Sequence, residues 1–210
     1  MGLFLTQLAL KNDSRDSVVE TIISIMKKKG FILESKDKAS QITGKDNEFY
    51  ITSNRKGWIQ IFCPEIPEDS LPRELSKILN TPIFQFHIHD GDFWMYKLFV
   101  SGKLVDQHQP LLGYNKKLRK KGDAKILSRI FKVKVSKIDP YLIFWENINN
   151  KDNPKAFSTD EYPIKNEWSM IDFQKKLGIM YPDFEKPNVN MIRLKFRTST
   201  INKIKSIFKK

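Results

Sequence analysis

Two turns, Asp90-Gly91 and Ser101-Gly102, constrain this chain more than any other feature. They divide Pro82–Gln109, PIFQFHIHDGDFWMYKLFVSGKLVDQHQ, into three runs of aromatic and β-branched residues. Glycine, and Asp beside it, accept the positive φ of tight hairpin turns, while aromatic and branched side chains fit a pleated surface. The stretch predicts three antiparallel strands. It also holds all three histidines of the protein.

Side chains alternate across a sheet, so turn length decides which residues share a face. A two-residue turn pairs His89 with Asp92. Gln85, His87, His89, Asp92, Trp94 and Tyr96 then lie together, opposite Phe84, Phe86, Ile88, Phe93 and Met95. A three-residue turn pairs His89 with Phe93. Phe84, Phe86, Ile88, Trp94, Tyr96 and Leu98 then form one face, and His87 and His89 join Phe93 and Met95 on the other. With a two-residue turn at Ser101-Gly102, Met95 pairs with His108. His108 therefore joins His87 and His89 only in the three-residue register. His87, His89, Asp90 and Asp92 are the candidate catalytic or metal-ligating residues, because imidazoles two apart on a strand project to one side and carboxylates follow at the turn. The string HxHDxD departs from the HxHxDH of metallo-hydrolases, since Phe93 follows Asp92. The competing expectation is a polar sheet face whose turn carboxylates bond their own backbone.

The remaining chain fills in an α+β pattern. Met1–Leu10 reads as a strand. Asp13 or Ser14 caps a helix over Ser17–Lys29 that Gly30 ends, and Phe31–Leu33 opens the next strand. Glu48–Thr52 and Gly57–Cys63 form a hairpin, with Trp58 near the core. Asp69 or Ser70 caps a helix over Leu71–Leu79. The order is β-α-β-β-β-α-β-β-β, as two similar units. Beyond the irregular Pro110–Asn115, where a domain boundary is expected, Ala124–Phe131 reads as a helix and Lys132–Val135 alternates like a strand. Trp168–Leu177 reads as a helix ended by Gly178, Met191–Phe196 as a strand and Thr200–Phe208 as a basic helix. The expectation is an α+β fold in which residues 1–110 form a core, an antiparallel sheet with helices packed on one face. Residues 111–210 form a basic half that extends this core or makes a small lobe.

Charge separates these halves. Residues 1–115 carry 14 Lys+Arg and 14 Asp+Glu, whereas residues 116–210 carry 23 and 10 and hold the whole net charge of +13. Such asymmetry points to a polyanionic partner, against the alternative of a Lys-rich compositional bias. The candidate nucleic-acid contacts are Lys116, Lys117, Arg119, Lys120, Lys121, Arg193, Lys195, Arg197, Lys203 and Lys205. Phe131, Phe196 and Phe208 lie among them as stacking candidates or as core residues. Cys63, the single cysteine, excludes an intramolecular disulfide and reads as a buried thiol in a reducing, cytoplasmic compartment. No apolar run reaches the length of a membrane span, and the N-terminal GLFLTQLAL lacks the basic flank of a signal peptide.

FLTQLALKN, the segment ELSKILNTPIFQFHIHDGDFWMYKLFVSGKLVDQH and Leu112-Gly113-Tyr114 together resemble a set of uncharacterised bacterial proteins. Those proteins share a His-Asp-x-Asp hairpin and a Gly-x-Leu-Val-Asp strand. The resemblance covers roughly residues 1–115 and implies a fold unit, with no activity attached. The chain shows no phosphate-cradling glycine loop, nucleophile elbow or cofactor fingerprint, so no cofactor is expected. The leading expectation is a non-enzymatic accessory or immunity-type module that binds a partner protein. A nucleic-acid-binding protein using the basic half comes second, and a metal-dependent hydrolase using the His87–Asp92 turn third.

Overall fold

The structure is a computed structural model that describes residues 4–43, 47–63, 69–111, 120–149, 154–184 and 190–198. Its frame is one eight-stranded antiparallel sheet with strands β1 (Leu5–Lys11), β2 (Phe31–Ala39), β3 (Glu48–Thr52), β4 (Trp58–Cys63), β5 (Ile83–His89), β6 (Phe93–Val100), β7 (Lys103–His108) and β8 (Met191–Thr198). The spatial order is β2-β8-β3-β4-β1-β5-β6-β7. β1 lies centrally, between β4 and β5. Each flank follows a helix and three successive strands: α1 (Arg15–Lys28) precedes β2, β3 and β4, and α2 (Ser70–Ile78) precedes β5, β6 and β7. The second set is an unbroken meander. The first is opened by β8, which inserts between β2 and β3.

Local sequence explains the two helices. The Ser14 side chain accepts the Ser17 amide at 3.2 Å and so satisfies one orphan donor of the first turn of α1. Gly30, at φ 83, ends that helix in the left-handed region that glycine occupies freely. Val18, Val19, Ile22, Ile23, Ile25 and Met26 fall on the buried side of α1, and Leu71 and Leu75 on that of α2. Both helices pack on one face of the sheet, over Leu8, Leu10, Ile51, Ile59, Ile61, Ile83 and Leu194.

The opposite face is covered by the chain after Pro110. Helices α3 (Ala124–Phe131) and α4 (Ser169–Lys176), with three short 3-10 turns between residues 135 and 147, pack over Trp58, Phe84, Phe86, Trp94, Tyr96 and Leu98. With both faces covered, β4 is buried along its length and runs apolar but for Gln60, whereas β5, also mostly buried, alternates Phe84, Phe86 and Ile88 with Gln85, His87 and His89. Gln7, Gln60 and Gln174 are buried together where α4 meets the sheet. The Gln174 amide donates to Gln7 Oε1 at 2.8 Å, Gln7 donates to Gln60, and Gln60 Nε2 donates to the Met180 carbonyl at 2.6 Å. Buried amides of this kind hold the cover in one register, because each would be costly to leave unpaired.

Lys132–Val135 corrects the expected strand. Lys132 turns into the left-handed region at φ 59 to close α3, and Val135–Lys137 is a 3-10 turn. The alternation of Val and Lys there reflects a chain winding over the surface, with Ile138 buried beneath it.

Candidate functional site

The hairpin between β5 and β6 adopts the three-residue register: His89 pairs with Phe93 and His87 with Met95. Asp90 and Gly91 both have positive φ, and the Asp92 amide donates to the His89 carbonyl at 2.9 Å. Phe84, Phe86, Ile88, Trp94, Tyr96 and Leu98 therefore share the aromatic face beneath the cover. His87 and His89 lie on the other face, their rings 5.7 Å apart, with Phe4 set edge-on to His89 at 5.1 Å. His87 is buried. Its Nδ1 lies 3.0 Å from Thr6 Oγ1, and its Nε2 has no described hydrogen-bond partner. Burial, reinforced by the neighbouring His89, pushes the His87 pKa down to about 4.

His108 does not join them, and this corrects the expected convergence. β7 carries one extra residue at Val105: Phe99 pairs with Leu104, but Leu98 pairs with Asp106 and Tyr96 with His108. A one-residue bulge reverses the facing of every later side chain. Asp106 and His108 thus turn under the cover. Asp106 Oδ2 accepts from Tyr96 Oη at 2.6 Å, and its carboxylate accepts the Asp123 amide at 3.2 Å. His108 Nδ1 accepts the Gly122 amide at 3.3 Å. Gly122 is required at this point, because a Cβ there would lie 2.2 Å from Tyr96 Oη. Burial pushes the Asp106 carboxyl up and the His108 imidazole down, to about 3. The three imidazoles therefore occupy two faces of the sheet. Among the described residues, no group of three or more His, Cys, Asp or Glu side chains is placed to hold a metal ion.

The same bonds that bury His108 anchor a second constellation. The Gln109 amide donates to the Lys120 carbonyl at 3.0 Å, so residues 120–123 run beside the end of β7 and deliver the chain into α3. Asp123 caps α3 by accepting the Lys125 amide at 2.7 Å. Ala124, Leu127 and Phe131 form the buried stripe of the helix. At 100° per residue, Lys125 and Arg129 fall on the outward side, a turn apart. Lys120, Lys121, Lys125, Arg129, Lys132, Lys134 and Lys137 are all exposed. None of the seven makes an ion pair or side-chain hydrogen bond with a described residue. The acid among them, Asp123, is engaged in the cap.

The cations of β8 are placed differently. Arg193 pairs with Asp37 at 3.1 Å, and Lys195 and Arg197 reach Glu34 at 2.9 and 3.7 Å. A hydrogen bond from Ser35, and then Arg193, hold the Asp37 carboxyl below its ordinary range. These three expected contacts thus face two carboxylates of β2, with Glu34 shared by Lys195 and Arg197. Lys120 and Lys121 belong to the unpaired surface. Lys116, Lys117, Arg119, Lys203 and Lys205 lie outside the described residues, as do Phe208 and the basic helix expected over Thr200–Phe208. Phe131 and Phe196 are buried and belong to the core. Lys125, Arg129, Lys132, Lys134 and Lys137 were not singled out from sequence. Their signal was the charge of the run, and Lys125 and Arg129 are set apart by the buried stripe of α3, which turns them outward.

No helix among the described residues is long and apolar enough to cross a membrane. No known protein family, curated protein or solved structure matches the chain.

Proposed function

We propose that the protein is a non-enzymatic accessory or immunity-type module that binds a partner macromolecule through the basic surface of residues 120–137. One observation carries this: seven exposed cations without described partners stand on a segment anchored at Gln109, Asp106 and His108. Unpaired lysines on a flexible loop would cost side-chain and backbone entropy on binding. Here much of the backbone cost is met by folding, because α3 is capped and its apolar stripe is buried. The histidines support the same reading. His87 and His108 are sealed from solvent on opposite faces, so they cannot share one reacting atom.

The test is affinity capture from the native host with the tagged full chain and with the double variant Lys125→Glu/Arg129→Glu. A specific partner that is held by the parent and lost with the variant, at unchanged folding stability, is the expected result. A partner retained equally by both proteins would sink the assignment of this surface.

A further inference from the structure

We infer that the partner of this surface is double-stranded nucleic acid, held through its phosphates without base readout; the inference rests on residues 120–137 being the binding surface. Charge density is the first argument. The segment carries seven Lys+Arg and one acid, and that acid faces back into its own helix cap. Duplex nucleic acid presents roughly one negative charge per 1.7 Å of axis, and its affinity comes from releasing the counterions that this charge condenses. A row of unpaired, solvated cations gains most from such a target.

Composition argues against an acidic protein on the same surface. Protein interfaces draw their energy from buried aromatic or Arg anchors in an apolar centre, and Lys is depleted there. Among the described residues of this segment, Val135 is the only large apolar side chain counted as exposed. Phe131 is turned into the core against Phe84 and Trp58. The surface can supply ion pairs to a protein, but its one arginine, Arg129, stands without the aromatic and apolar centre that would make the complex tight.

The same burial separates duplex from single strand. Binding of single strands relies on exposed rings that stack on bases. The described part of this surface offers none. It offers cations, together with the exposed hydroxyl of Ser136, which are groups that position a phosphate backbone and carry no sequence information. Lys125 and Arg129 lie about 6 Å apart on one side of α3, and Lys132 follows on that side as the helix closes, so the cations form a stripe along one backbone strand.

The experiment is fluorescence anisotropy with the full-length protein and five probes. They are a mixed-sequence DNA duplex, an RNA duplex of the same length, each corresponding single strand, and polyglutamate of matched charge. Two variants accompany the parent: Lys125→Glu/Arg129→Glu/Lys134→Glu, and the control Lys27→Glu/Lys38→Glu on α1 and β2. Urea unfolding of each variant confirms that it folds. With about five phosphate contacts, duplex affinity should fall roughly 500-fold between about 50 and 200 mM salt. The triple variant should weaken duplex binding by more than tenfold and flatten the salt slope, while the control leaves the slope in place. The DNA and RNA arms identify which duplex is held. Tighter binding of single strands would overturn the duplex assignment. Binding of polyglutamate as tight as that of duplex would overturn the nucleic-acid inference and leave the basic surface as a binding site. Equal losses in both variants would overturn the surface itself, and no binding to any probe would overturn the nucleic-acid inference, leaving the surface to the capture experiment.

Discussion

His87 and His108 each keep one ring nitrogen without a described partner, although both are buried. Such a site tolerates a neutral imidazole far better than a charged one. The folded pKa values of about 4 and about 3 lie below the ordinary value near 6.5. Between those limits the unfolded chain binds more protons than the folded one. Unfolding free energy must therefore fall as pH falls from about 6.5, by at most about 1.4 kcal/mol per pH unit for each histidine. Below about 4 His87 is protonated in both states, and its contribution levels off. Asp106 acts in the opposite sense, since its carboxyl is pushed up by burial and is relieved by protonation in the carboxylate range. Urea unfolding of the parent between pH 7 and 4.5 should show declining stability, and His87→Gln/His108→Gln should flatten that decline whatever its stability at pH 7. An unchanged slope in the double variant would show that neither imidazole is held neutral by the fold.

At the scale of elements, the bulge in β7 decides what the third strand of the meander can do. Val105 is its extra residue, and it is exposed. Trimming its side chain with Val105→Ala should change stability by less than about 0.5 kcal/mol. Deleting Val105 restores regular pairing yet leaves Asp106 opposite Leu98 and His108 opposite Tyr96, so both side chains stay under the cover. What the bulge delivers is tested at those two groups: Asp106→Ala/His108→Ala removes the Tyr96–Asp106 and Gly122–His108 hydrogen bonds and the link to Asp123 together, at about 3 kcal/mol or more. Thermal or urea unfolding of the two variants checks the contrast, and a double variant as mild as Val105→Ala would mean that these groups have no part in positioning α3. The turns at Asp90-Gly91 and Ser101-Gly102 were legible from sequence because positive φ leaves a residue-type signature. The N-cap of α1 was legible because a serine before a helix accepts an orphan amide, and its end because Gly30 takes a positive φ. The bulge was not. Leu104-Val105 carries no glycine, and its cause is distant: a carboxylate and an imidazole that find partners at Tyr96, Gly122 and Asp123. The candidate site divided likewise. The charge of residues 120–137 was written in the sequence, but the pairing of Arg193, Lys195 and Arg197 with Glu34 and Asp37 depends on β8 lying beside β2.

That placement of β8 is a property of the whole molecule. Strand order is not encoded in local periodicity, and a strand more than 120 residues downstream opens the first meander by pairing with both β2 and β3. Pro110 marks where the chain leaves the sheet and begins to cover it. Beneath that cover Phe84, Phe86, Trp94, Tyr96 and Leu98 are all fully buried or nearly so. Each contributes about 2 kcal/mol by its removal from water, so uncovering all five forfeits roughly 10 kcal/mol. A domain of this kind is stable by about 5–15 kcal/mol in total, and removing β8 also leaves the facing edges of β2 and β3 without their partner. A fragment of residues 1–110 is therefore expected to lack a cooperative urea transition, whereas the full chain unfolds in one. Trp58 and Trp94 report from the sheet, and Trp145 and Trp168 from the cover, so fluorescence samples both layers. Its transition should coincide with that of far-ultraviolet circular dichroism in the full chain. A fragment that unfolds cooperatively, or a full chain whose two signals separate, would show that sheet and cover are independent folding units and that the aromatic face is stable without its lid.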